Sequence, residues 1–128
     1  MNEIDNLYNA KQLIKNHKYV IIIWHDPGCP VCEHYLDTIK DMPNEFPQCV
    51  FALLNGDDYT DDKVFEPDGA PVTFFFKNGK RLMAPHGQAP VEIIRDNIQS
   101  IIDGTFKTMR EHEQDQLDNL EDLYTPQT

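Results

Sequence analysis

The chain has 128 residues, 40% of them hydrophobic and 26% charged, with 22 acidic against 11 basic residues and a formal charge of −11. That length suits one domain with a substantial core, and the acidic balance argues against nucleic acid and anionic membrane as partners. No apolar run approaches the ~20 residues of a membrane span, and three cysteines are too few for a disulfide scaffold.

The N-terminal stretch MNEIDNLYNAKQL is acidic and polar. It does not read as a secretory signal, so a cytoplasmic setting is expected. Ile4, Leu7, Tyr8, Leu13 and Ile14 recur roughly at helical spacing, which predicts a helix over 5–16 with Asp5 as N-cap. Residues 18–24 form a continuous apolar run rich in β-branched residues, as in a strand buried on both faces.

Residues 19–35 read YVIIIWHDPGCPVCEHY. Asp26-Pro27-Gly28 ends the apolar run, a Cys-Pro-Val-Cys quartet follows, and Val31, Tyr35, Leu36, Ile39 and Met42 make a helical stripe that Pro43 is expected to end. Strand, tight turn, CxxC and helix form the sequence pattern of a dithiol redox site. At a helix N-terminus Cys29 sits among unpaired backbone N–H groups at the positive end of the helix dipole, which favours a thiolate. Cys32 falls one turn later on the same face, close enough to close a disulfide.

Residues 49–54 (CVFALL) predict a second buried strand. The acidic, turn-rich stretch 55–69 has room for a short helix around 61–65. Residues 71–77 (PVTFFFK) predict a third strand, Asn78-Gly79 a hairpin turn, and 80–84 its return strand. Pro90 fits the first turn of a helix whose apolar face is Val91, Ile94, Ile98, Ile101 and Ile102, with Gly104 as C-cap. Strands separated by helices imply parallel pairs with crossovers, and the hairpin adds an antiparallel edge. The expected fold class is α/β, a mixed sheet of about four strands with helices on both faces. Residues 1–104 are expected to form the domain. Residues 105–128 form an acidic extension, helical on a stripe of Phe106, Met109, Leu117, Leu120 and Tyr124 or partly disordered.

Three features together resemble the thioredoxin-like family: CPVC after a buried strand, Ala70-Pro71 ahead of another, and FFFKNG with Gly87 eight residues beyond Gly79. The resemblance covers about residues 19–102, with the first helix as an added match. It implies Cys29 as the attacking cysteine, Cys32 as the resolving one, Pro71 as the family's cis-proline beside the dithiol, and Gly87 as the residue that keeps the substrate surface flat. Ala70 would turn its backbone toward an incoming extended chain.

The departures are specific. Gly28 replaces the usual tryptophan, Pro30-Val31 replaces Gly-Pro, and Ile23 stands where that family keeps a buried Asp. Proline after the first cysteine is similar to glutaredoxins, but the Gly-Gly-x-Asp element those proteins use for glutathione is absent after Pro71. The chain looks too short at its N-terminus for an additional first strand.

His25, Asp26 and His34 flank the dithiol and are candidates for tuning its protonation. The bland alternative has His25 at a strand end and His34 facing solvent. A carboxylate at Asp26 would disfavour a nearby thiolate. His86, just before Gly87, is a further neighbour of the site. Cys29 and Cys32 could also be half of a zinc site with His25 or His34, but four ligands are needed and no second cysteine pair exists. Cys49 reads as a buried small hydrophobe, and Trp24 as core.

The reading is thus a protein-disulfide reductase working by dithiol exchange, with no cofactor beyond the Cys29–Cys32 disulfide. Its expected partners are protein disulfides and a thioredoxin-reductase-type donor or small thiol. The chain is expected to be a monomer, with a dimer through the extension as the other possibility. The competing readings are an interaction or redox-sensing module on the same fold, and an oxidase or isomerase partner in an oxidising compartment.

Overall fold

A computed structural model of the protein describes residues 2–4, 6–56 and 69–107. The short helix expected around 61–65 and the extension from 108 onward lie outside the described residues, and the expected Asp5 cap is replaced by Asn6, the N-cap of the first helix. The elements run β1 (Asn2–Ile4), α1 (Leu7–Asn16), β2 (Tyr19–His25), α2 (Pro30–Ile39), α3 (Met42–Glu45), β3 (Val50–Asn55), β4 (Val72–Lys77), β5 (Lys80–Met83) and α4 (Val91–Asp103).

The five strands form one mixed sheet in the order β1-β3-β2-β4-β5. Strands β1 and β2 run parallel to β3, while β4 runs antiparallel to both β2 and β5. The α/β class and mixed sheet are as the sequence predicts, with one strand more than expected. That strand is β1, whose residues Asn2, Glu3 and Ile4 align with Ala52, Leu53 and Leu54 of β3. The antiparallel part is also wider than a hairpin edge. Two buried strands look alike in composition, and their relative direction depends on the end of the sheet at which the chain re-enters.

Alternation sorts the side chains into two layers of core. Val20, Ile22, Trp24, Ala52, Leu54, Val72, Phe74 and Phe76 face α1, where Ala10 and Ile14 meet them. Ile21, Ile23, Phe51 and Phe75 face the other way, against Tyr35 and Ile39 of α2, Met42 of α3, and Ile94, Ile98 and Ile101 of α4. Burying each such large side chain contributes roughly 1.5–3 kcal/mol. Strand β2 is covered on both sides, and Trp24 is core, packed edge-on to Phe74 with ring centroids 6.3 Å apart.

Local signals explain most boundaries. Asn6 caps α1, its Oδ1 accepting the Asn9 N–H at 2.9 Å. Asn78 and Gly79 both take positive φ (52° and 81°), as a tight two-residue hairpin requires. Gly104, at φ 78°, closes α4 in the left-handed conformation while Thr105 and Phe106 N–H groups return to Ser100 O. Pro90 stands just before α4, as its N-cap residue.

Three further expectations are corrected. Tyr8 does not belong to the buried stripe of the first helix, being 69% exposed. Ile4 belongs to β1 rather than to that helix. Pro43 does not end the dithiol helix: α2 stops at Ile39, and Pro43 sits in the first turn of the separate α3, where a missing N–H costs nothing.

Candidate active site

The dithiol lies where β2 hands the chain to α2. Beyond His25, Gly28 turns at φ 72° and Cys29 N–H bonds Asp26 O at 3.3 Å. Cys29 is the N-cap of α2, with extended φ/ψ of −87° and 108° and with Pro30 at the first helical position. Its Sγ accepts the Cys32 N–H at 3.2 Å, and its carbonyl accepts Glu33 N–H at 3.1 Å. The sulfur thus takes the place of the oxygen that usually caps a helix. All three cysteines are free thiols: Cys29 is half-buried, Cys32 and Cys49 are buried.

Burial is the largest influence on the Cys32 thiol and, with the Cys29 sulfur, pushes it up to about 11. Asp26 acts on it in two senses. Its backbone contact favours the thiolate and its carboxylate charge opposes it. Burial alone pushes Cys49 up to about 11, in keeping with an inert core thiol.

The other predicted residues gather at the same end of the sheet. Trp24 of β2 lies opposite Val72, so the residues preceding Val72 lie across from the departure of the dithiol loop. The Ala70–Pro71 peptide is cis. Pro71 O accepts the Gly87 N–H at 2.7 Å, and His86 bridges Val72. A Cβ on Gly87 would meet nothing within 4 Å, so this position opens outward, though its φ of 85° resists a side chain. His25 and Asp26 are partly buried beside the dithiol, whereas His34 is exposed on α2.

Two features were not anticipated. Tyr35 and Thr73, each 1% exposed, share a hydroxyl–hydroxyl hydrogen bond of 2.6 Å that ties α2 to β4. Thr73 is the cross-strand partner of Ile23, so this polar pair lies next to the position where the resemblance leads one to expect a carboxylate. The threonine in the otherwise apolar VTFFF run was the available signal. Gly56 also lies against Trp24, where a Cβ would overlap the indole.

Among the described residues no group of three or more His, Cys, Asp or Glu is placed to hold a metal ion. Nor is any described helix long and apolar enough to cross a membrane.

No protein-family model matches the chain. It is 27% identical over 84 residues to "Thioredoxin-like protein YdfQ" of Bacillus subtilis (strain 168), spanning 65% of this chain and 75% of that protein. Among solved structures it resembles thioredoxin from Trypanosoma brucei brucei, with a TM-score of 0.70, 17% identity and 79% of this chain against 89% of that one. Oxidised mitochondrial thioredoxin 3 of Saccharomyces cerevisiae gives a TM-score of 0.67 at 20% identity, covering 75% of this chain and 92% of that one. The chain thus has the fold of the thioredoxins it resembles, with the Cys29-x-x-Cys32 pair at the head of α2.

Proposed function

We propose that the protein reduces disulfides in other proteins by dithiol exchange, with Cys29 attacking and Cys32 resolving. The observation that carries this is the asymmetry of the pair: a half-buried Cys29 sulfur held at a helix N-terminus by a backbone N–H, and a buried Cys32 one turn behind it. The Cys29 thiolate attacks one sulfur of a substrate disulfide. A Cys29–substrate bond forms, the substrate S–S bond breaks, and the departing sulfur carries the electron pair and takes a proton from water. Cys32 then loses its proton and attacks Cys29 Sγ. The Cys29–Cys32 bond forms and the second substrate sulfur leaves as thiolate. Two electrons pass from the protein to its client, and a reductase of the thioredoxin-reductase type or a small thiol restores the dithiol.

The raised Cys32 thiol sets the order of these steps. Burial and the neighbouring Cys29 sulfur hold Cys32 as a thiol at neutral pH, so Cys29 attacks first. Once Cys29 is bonded to substrate it can no longer bear negative charge, so one influence that raises Cys32 vanishes and resolution is favoured after attack. Ala70, Pro71 and Gly87 form the surface for an extended client strand, and the open side of Gly87 supports this role. Reduction as the net direction belongs to a cytoplasmic setting, where thiols are kept reduced.

Dithiothreitol-driven reduction of insulin tests the proposal. Wild type is expected to turn over, Cys29→Ser to be inactive, and Cys32→Ser to accumulate a mixed disulfide through Cys29 visible on a non-reducing gel. A wild type with no turnover, together with a Cys32→Ser variant that traps nothing, would leave an interaction module on the same fold as the better reading.

A further inference from the structure

In this acidic chain the basic residues are concentrated. Six of the 11, Lys11, Lys15, Lys18, Lys77, Lys80 and Arg81, fall on α1, just ahead of β2 and on the β4–β5 hairpin. Lys11 and Lys15 rim a groove of about 340 Å³ whose floor is Ile14 and Phe76 and whose far wall is the Asn78-Gly79 turn. A basic rim over an apolar floor suits an acidic segment with interspersed apolar side chains.

The chain carries such a segment, tethered at this end of the sheet. Helix α4 finishes beside the start of β2 and the end of β4: Ile102 O accepts the Tyr19 hydroxyl at 3.5 Å, and Ile101 O accepts Lys77 Nζ at 3.4 Å. The hairpin is pinned there too, Asn78 N–H bonding Lys18 O at 2.8 Å. Residues 108–128 therefore continue from the basic end. They hold Glu111, Glu113, Asp115, Asp118, Glu121 and Asp122 against the single basic Arg110, with Leu117, Leu120 and Tyr124 between. Gly56, the residue that precedes the other acid-rich stretch in the sequence, bonds His25 O through its N–H at the opposite end of β2, roughly 20 Å away.

We propose that the acidic segment 108–128 docks across the groove between α1 and the β4–β5 hairpin, on the end of the domain remote from the dithiol. Passing from the α4 layer to the α1 layer means crossing two layer spacings of about 10 Å each. Twenty-one residues reach about 30 Å even as a helix, so the tether is long enough. Acids on the segment meet Lys11 and Lys15 at the rim, above the buried Ile14 and Phe76 at the base. The dithiol remains open to clients.

Zero-length carbodiimide cross-linking of the full chain, read by mass spectrometry, tests this. The expected result is intramolecular links from Lys11 or Lys15 to acids within 111–122. These links should be lost in Lys11→Glu/Lys15→Glu and, for wild type, in about 1 M salt, where the screening length is near 3 Å. The exposed Lys40–Asp37 pair, 3.3 Å apart, is the internal control for the reagent. Control links with no tail links would overturn the proposal. So would tail links found only between molecules, which would assign the groove to a second copy.

Discussion

The two faces of the sheet are built differently. The α1 face is hydrocarbon and aromatic ring throughout, with Phe74 and Phe76 stacked at 6.5 Å and Trp24 edge-on beside them. The α2–α4 face is as well buried but carries the polar and reactive groups: Cys49, the Tyr35–Thr73 hydroxyl pair and, one turn before Tyr35, Cys32. One face holds the domain together, while the other must also present a helix terminus in one orientation. A directional hydrogen bond between two strand-and-helix neighbours fixes rotation in a way that non-directional apolar contact does not.

The largest expected effect lies on the apolar face. Phe74→Ala should cost about 3–5 kcal/mol by leaving a cavity in a fully buried layer, measured by denaturant unfolding. On the other face Tyr35→Phe should cost about 1–3 kcal/mol, because Thr73 is left with a buried unpaired hydroxyl. Adding Thr73→Val should recover much of that loss. A Tyr35→Phe protein as stable as wild type would erase the distinction drawn between the faces.

The smaller effect concerns pH. Cys32 and Cys49 ionise near 9.0 when unfolded and near 11 when folded. Between those values the unfolded chain holds fewer protons, so stability falls as pH rises from about 9 to 11. Thermal melts across that window should show the fall, and Cys49→Ala should make it shallower. Smallest of all should be the loss of the Arg95–Glu45 fork, at 2.7 and 2.9 Å, because both groups are exposed.

Elements built by runs of one character were legible in the sequence. The YVIIIW strand, the Asn78-Gly79 turn and the α4 stripe closed by Gly104 each announce themselves within a few residues. The position of Cys29 at a helix start was equally readable, because the Asp26-Pro27-Gly28 turn before it and the apolar helical stripe after it bracket that start. Less legible was whatever depends on a distant partner. Strand β1 is three residues long, too short to show a period, and exists because Val50–Asn55 offers it an edge. The break between α2 and α3 lies in a stretch whose periodicity runs on from Ile39 to Met42. Asp5 and Asn6 are equally good caps by type, and the Asn9 N–H bonds Asn6. The groove beside α1 joins residues from both halves of the chain, so charge position along the sequence could not reveal it.

Strand β1 also changes what the surface offers to other molecules. It occupies the outer edge of β3, an apolar strand in which Phe51, Ala52 and Leu54 are buried. Uncovered, that edge would present a row of open N–H and C=O groups, the template by which one chain recruits another into a continuous sheet. Asn2–Ile4 covers that edge along Ala52–Leu54, and displacing these three residues would open the same stretch of β3 to pairing with another strand.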